Sequence, residues 1–258
     1  MTGPSQPDGP GRPRRTLHFA DAGEAADLAA FLGRLLHYDR GAAVRVQASG
    51  STLAVFGRPP SFEVLAIRTA RLAKPYEHGI DAALDSTVSA GELLESVDET
   101  AGTATVPDAV TGPPWAGVLP PRGGWHPEPG LPAPGAVRAM VAGAVAEFRS
   151  RTEELAPEER TRAVLDRIGR EIWSRPIGDS ELPVRAAHAA QALGFLRAVP
   201  APVPAGQPPV PPGRAPGAGP SEAPLTLLAA GAWLRLRTPY GSIAVRRAGV
   251  GPLSVTPT

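Results

Sequence analysis

Gly112-Pro113-Pro114-Trp115-Ala116-Gly117-Val118-Leu119-Pro120-Pro121-Arg122-Gly123-Gly124-Trp125 divides the chain. Its two proline pairs cannot donate backbone hydrogen bonds and its glycines loosen the backbone, so it is neither a regular helix nor a central strand. It holds two of the four tryptophans and a lone arginine, Arg122. Indoles are costly to leave in water, so Trp115 and Trp125 need a buried face or a ligand. The hydrophobic period differs on the two sides of this stretch, and that difference sets the fold class.

Upstream the pattern is mostly period two. Residues 16–19 alternate as a short strand. Asp21 then caps a helix, with Glu24 at capping-box spacing, and Leu28, Phe31, Leu32, Leu35 and Leu36 form its apolar stripe. After Asp39-Arg40-Gly41, Val44, Val46 and Ala48 alternate with Arg45 and Gln47, Ser49-Gly50-Ser51 turns the chain, and Leu53 and Val55 continue in a second strand. Residues 63–72 read as a third, longer strand. The expectation is β-α-β-β-β, an antiparallel sheet with one helix on a face. After a polar loop over 74–86, Ser89 and Glu92 begin a short helix, and residues 103–106 read as an edge strand.

Downstream the period becomes helical. Val137, Val141, Ala144, Val145 and Phe148 predict a helix over 135–154. Pro157 fits the first turn of a second helix over 157–174, with Ile168, Ile172 and Trp173 inward and Glu158–Arg162 and Asp166–Arg170 as outward pairs. A third helix starts at Asp179 or Ser180 and runs to about Ala198. Residues 199–224 carry ten prolines, which predicts an extended spacer. Residues 233–237 and 242–246 predict a hairpin around Thr238-Pro239-Tyr240-Gly241, with Leu234, Leu236, Ile243 and Val245 on its buried face. The expected class is α+β. The expected divisions are a disordered tail (1–14), a sheet unit (15–111), a Pro/Trp strap (112–134), a helical unit (135–198), a Pro-rich linker (199–224), a β-hairpin (225–247) and a tail (248–258). The hairpin either joins the first sheet or packs beside the helices.

Composition excludes several chemistries. There is no cysteine, which removes disulfides, thiol catalysis and cysteine-ligated metals. Net charge is +1, so bulk charge points neither to nucleic acid nor to a membrane surface. Lys74 is the one lysine beside 25 arginines, a bias that GC-rich coding explains without a role for each arginine. No apolar run is long enough to span a bilayer and no secretory signal opens the chain, so the expected location is the cytoplasm and no membrane partner is expected. No P-loop, dinucleotide fingerprint, nucleophile elbow or Ser-x-x-Lys pair is present. His18, His37, His78, His126 and His188 are scattered without metal-ligand spacing. His188 reads as a helix histidine near an apolar face, and His37 as a cation at a helix C-terminus. No catalytic residue, metal site or cofactor is expected.

Two constellations survive. In the first, Trp115 and Trp125 wall a groove, with Arg122 and the amides of Gly123 and Gly124 offering an anion site. The competing and preferred reading buries both indoles as a strap between the two halves. In the second, Arg235, Arg237 and Arg246 share the outer face of the hairpin. From Leu225 onward there are four arginines and no acid. Such a ribbon can meet phosphate; the preferred reading is that it keeps a sheet soluble.

Several whole phrases resemble a family of uncharacterised actinobacterial proteins. They include Phe19-Ala20-Asp21-Ala22, Ala54-Val55-Phe56-Gly57-Arg58-Pro59-Pro60, the Pro/Trp stretch, Glu171-Ile172-Trp173-Ser174-Arg175-Pro176, and residues 233–241. The resemblance implies no activity and carries over no catalytic residue. The sequence therefore supports a non-catalytic cytoplasmic binding or protein-interaction module, leaning away from an enzyme. The first alternative is a nucleic-acid-binding protein resembling a winged helix, with the basic hairpin as the wing. The second is a small-molecule enzyme or sensor at Trp115 and Trp125.

Overall fold

A computed structural model describes residues 15–73, 84–197 and 224–247. The chain is α+β and forms two units. The first comprises Met1–Gly57 with Thr69–Val118, the second Arg58–Arg68 with Leu119–Thr258. The break at Val118 falls inside the Pro/Trp stretch. The expected tails at 1–14 and 248–258, most of the loop 74–86 and nearly all of the linker 199–224 lie outside the described residues.

In the first unit the expected element order holds: β1 (Thr16–His18), α1 (Ala22–Tyr38), β2 (Ala43–Ser49), β3 (Thr52–Gly57) and β4 (Leu65–Arg71), whose first residues belong to the second unit. Asp21 caps α1 by accepting a hydrogen bond from the Glu24 amide at 3.0 Å. Leu28, Phe31, Leu32 and Leu35 are buried, as are Val44, Val46, Leu53 and Val55 of the paired strands. β2 lies between β3 and β5 (Leu84–Ser89), both antiparallel to it. Ser89 caps α2 (Ala90–Glu95), its hydroxyl accepting from the Glu92 amide.

The pairing of β1 departs from expectation. β1 joins β7 (Thr103–Thr105), which also pairs with β6 (Val97–Asp98), giving a separate three-stranded sheet. The segment expected as an edge is thus the middle strand. Alternation identifies the face of a strand but not its neighbour. The Ser96 hydroxyl, 2.7 Å from the Thr105 carbonyl, ties the end of α2 to β7.

In the second unit β8 (His126–Pro127) precedes three helices: α3 (Pro134–Glu153), α4 (Arg162–Trp173) and α5 (Val184–Ala192). The second helix starts later than predicted. Pro157–Glu159 form only a 3-10 turn, and Thr161 caps α4 by accepting from the Val164 amide. The Glu158–Arg162 pair therefore loses its helical register. Arg162 instead lies 3.7 Å from Asp166, and Arg170 donates to the Asp166 carbonyl rather than its carboxylate. The third helix is shorter than predicted because it begins only after Pro183 and stops before Gly194, which has φ +75°. Helical spacing also missed the link between α3 and α4. Arg175 grips Glu147 at 2.6 and 2.8 Å, and Arg151 grips Glu171 at 2.9 Å through both terminal nitrogens. These arginines hold both carboxyls below the usual range, hydrogen bonding being the largest cause.

Three further strands complete the unit: β9 (Thr226–Ala230), β10 (Trp233–Thr238) and β11 (Gly241–Arg246). β10 lies between β9 and β11, and β11 also pairs with Leu65–Ile67 of β4. The hairpin thus adds to a strand from the first half of the sequence. Leu227, Leu234, Leu236, Ile243 and Val245 are buried, and β11 packs against α5. β9 was not foreseen, because Leu227-Leu228-Ala229-Ala230 lacks alternation.

Candidate binding face

The face of β9–β10–β11 opposite the buried leucines is set by register. Trp233 lies opposite Arg246, Arg235 opposite Ala244, and Arg237 opposite Ser242. On the other side of β10, Arg235 faces Leu228 and Arg237 faces Thr226. Three cations and an indole therefore share a face whose remaining cross-strand neighbours are uncharged, and whose β11 members Ser242 and Ala244 are buried. β8 closes the far edge, with His126 opposite Ala229 and Pro127 opposite Leu228. That pairing carries the preceding residue, Trp125, to this sheet.

Two cation–indole contacts organise the face. The Arg235 guanidinium carbon lies 5.7 Å from the centre of the Trp125 ring, and that of Arg246 lies 5.0 Å from the Trp233 ring. The Trp125 indole is fixed by donating to the Pro121 carbonyl at 2.9 Å. Arg237 and Arg246 are exposed, whereas Arg235 is half-buried. The Arg235 Nε is sealed from solvent with no hydrogen-bond acceptor among the described residues. Burial, and then the like charge of Arg237, push the Arg235 pKa below its ordinary value. A guanidinium so placed is uncompensated, because a buried charge needs a partner to offset its lost hydration.

The residues singled out in the sequence separate into two groups. Trp125 and Arg235, from different constellations, come together. Arg122, Gly123 and Gly124 are exposed on the loop entering β8. Trp115 belongs to the first unit, half-buried in a 3-10 turn (Pro114–Gly117). There Arg45 donates to the Ala116 carbonyl at 2.6 Å and to Asp85 at 2.7 Å. In the sequence Trp233 stands out only as a hairpin residue. The four-residue turn Thr238–Gly241 fixes the register, so its position opposite Arg246 could have been counted from the sequence.

Other concavities are differently built. In the second unit a groove of about 870 Å³ is lined by Phe148, Gly169, Arg170, Trp173, Arg185 and Glu63, among others. Its indole is engaged internally: Trp173 stacks on His188 at 4.7 Å, and Phe62 meets His188 edge-on at 5.2 Å. Burial lowers the His188 pKa, consistent with a neutral ring within an aromatic stack. In the first unit Glu92, Glu95 and Asp108 line a depression of about 510 Å³. Among the described residues no cluster of histidines and acids could hold a metal ion, and no helix is long and apolar enough to cross a membrane.

The chain is a two-unit α+β protein whose second unit presents an arginine and tryptophan face. Residues 120–250 match the family model Domain of unknown function (DUF8185), more than half of the 258 residues, and the chain belongs to that family. Residues 12–117 match a second model, Domain of unknown function (DUF8010). The two matches meet at the break that follows Val118, although Arg58–Arg68 of the second unit fall within the span 12–117. No curated protein matches the chain. Among solved structures it is similar to a DNA polymerase sliding clamp from Pseudomonas aeruginosa, at 12% identity and a TM-score of 0.40. That likeness covers 93% of this chain and 66% of the clamp, so the chain spans just under two thirds of the clamp's length.

Proposed function

We propose that the protein is a non-catalytic binding module that docks a protein partner on the arginine- and tryptophan-bearing face of β9 and β10, rimmed by Arg246. The observation that supports this is the convergence of Trp125, Trp233, Arg235, Arg237 and Arg246 on one sheet face without an opposing acid. Tryptophan and arginine dominate interface hot spots, because each offers a large apolar area together with a directional polar group. A nucleic-acid wing is disfavoured. A wing is a free ribbon, whereas β10 and β11 are each flanked by strands on both sides. The Trp115–Trp125 groove is disfavoured because Arg235 lies over one of its proposed walls, 5.7 Å from the centre of the Trp125 ring.

The experiment compares proteins retained by the immobilised full chain with those retained by a Trp233→Ala/Arg246→Ala double variant of equal thermal stability. Amide exchange then maps the bound complex. The expected result is loss of the retained species in the variant and protection of β9 and β10 in the complex. Unchanged retention, or a multiple-turnover activity abolished by one polar substitution elsewhere, refutes the reading.

A further inference from the structure

We infer that Arg235 is the seat of a partner's side-chain carboxylate, so that the face selects an acidic protein segment; this rests on the docking reading above. Three features of the site carry the inference. First, the guanidinium is only partly sealed. Its Nε is inaccessible and without an acceptor, as in Arg68, Arg185 and Arg247, but those three are also met by Tyr240, Glu63, Glu128 or Glu181 at 3.0–3.9 Å, whereas half-buried Arg235 is met by the Trp125 ring. The open end is a two-nitrogen fork whose spacing matches the two oxygens of a carboxylate. Second, the strands around it supply no anion: Leu228 and Ala244 sit opposite Arg235, and Thr226 and Ser242 opposite its neighbour Arg237. Third, the Trp125 ring beside Arg235 excludes water from one side, which strengthens any ion pair formed there.

The same features favour a protein carboxylate over a phosphodiester chain. A nucleic-acid backbone is gripped by accessible cations in a row. Here only Arg237 and Arg246 are exposed, on different strands, and the third cation is recessed beside an indole. A single carboxylate on a flexible side chain reaches that recess. The acids that balance this end of the unit, Glu128 and Glu181, are both taken up by Arg247 at 3.0 Å.

The test uses the full chain and two probes of equal charge at low salt: a capped, labelled hexaglutamate peptide and a labelled mixed-sequence single-stranded DNA. Binding is followed by anisotropy. Arg235→Met keeps the length of the side chain and removes the charge. It is expected to weaken the peptide at least about tenfold while raising the thermal midpoint by about 2 °C or more, because an uncompensated buried charge is replaced by an apolar one. Arg235→Lys is expected to weaken the peptide as well, since a point charge cannot make the fork. Arg237→Gln is expected to weaken it about twofold, as a screened surface charge. The inference is overturned if Arg235→Met binds the peptide as the unaltered chain does, if it lowers the midpoint, or if the DNA binds more tightly than the peptide. If Trp233→Ala/Arg246→Ala abolishes docking while Arg235→Met leaves it intact, the face stands and only the carboxylate seat falls.

Discussion

Replacing Gly130 with alanine tests how the loop behind Trp125 is held. Gly130 has φ +90°, and a Cβ built on it would stand 2.5 Å from the Asp179 carbonyl oxygen and 2.9 Å from the Ser180 nitrogen. These are backbone atoms, so no side-chain rotation relieves the overlap. The Asp179 amide also donates to the Gly130 carbonyl at 3.1 Å. The approach is reciprocal: Gly178, at φ +58°, admits Pro132 where a Cβ would come within 2.5 Å of the ring. A left-handed alanine costs about 1–2 kcal/mol. Forcing the segments apart adds about 1–3 kcal/mol, and the lost hydrogen bond about 1 kcal/mol. The total expected for Gly130→Ala is about 4 kcal/mol, at the upper end for a point substitution. Gly124→Ala is the control, since Gly124 has φ +77° but nothing within 4 Å of the added Cβ. Only the conformational cost applies to it, about 1–2 kcal/mol. Urea unfolding followed by tryptophan emission separates the two, because Trp125, Trp173 and Trp233 all lie in the second unit. With a slope of about 2 kcal/mol per molar, the midpoints should fall by about 2 M and by less than 1 M respectively. Equal shifts in the two variants would refute the close approach of these backbones.

Two further outcomes follow from single side chains. Burial lowers the His188 pKa from its ordinary 6.5, so at pH values between the folded value and 6.5 the unfolded chain holds a proton that the folded chain does not. Stability should therefore decline as pH drops below about 6.5. Thermal midpoints from pH 7.5 down to pH 5 should show a shallower decline in His188→Phe, and identical slopes would argue against a buried neutral ring. In the first unit, Arg45→Met removes the donor to the Ala116 carbonyl and the ion pair to Asp85. The Trp115 indole resonance should broaden or shift while those of the other three tryptophans stay fixed; an unmoved Trp115 signal would mean that the turn holds without this tether.

Much of the fold was legible because local periodicity and tertiary burial agree. The stripe Leu28, Phe31, Leu32 and Leu35 is buried, and so is the hairpin face Leu234, Leu236, Ile243 and Val245. Capping at Asp21 and Ser89 was readable because a short acceptor three residues before a Glu has few other uses. What escaped depended on partners distant in sequence. The pairing of β1 with β7, and of β11 with β4, is long-range, and alternation carries no information about it. The start of α4 was misplaced because Pro157 is equally suited to a 3-10 turn, and the hydroxyl of Thr161 is the better cap. The site was half legible. Its arginines were visible as one side of a hairpin, but Trp125 reaches them only through the two-residue strand β8, too short to leave a pattern.

The weight placed on Arg235 comes from how the chain treats its other half-buried arginines. Arg45 meets Asp85 at 2.7 Å. Arg247 meets both Glu128 and Glu181 at 3.0 Å. Arg185 lies 3.9 Å from Glu63, and buried Arg68 donates to the Tyr240 carbonyl at 3.0 Å. In each case a carboxylate or carbonyl from a distant part of the sequence comes within 2.7–3.9 Å and offsets part of the cation's lost hydration, although the Nε of Arg68, Arg185 and Arg247 is left without a hydrogen bond among the described residues. Arg235 breaks this habit. The positions best placed to compensate it, across the ladder on β9 and β11, hold Leu228 and Ala244. If solubility were the only demand on this face, an exposed arginine without burial, or a cross-strand acid, would meet it at less cost. A cation held half-buried beside an indole, with no acid across the ladder, is a local inconsistency of the kind that binding sites retain. The charge missing from Arg235 is therefore best assigned to a partner.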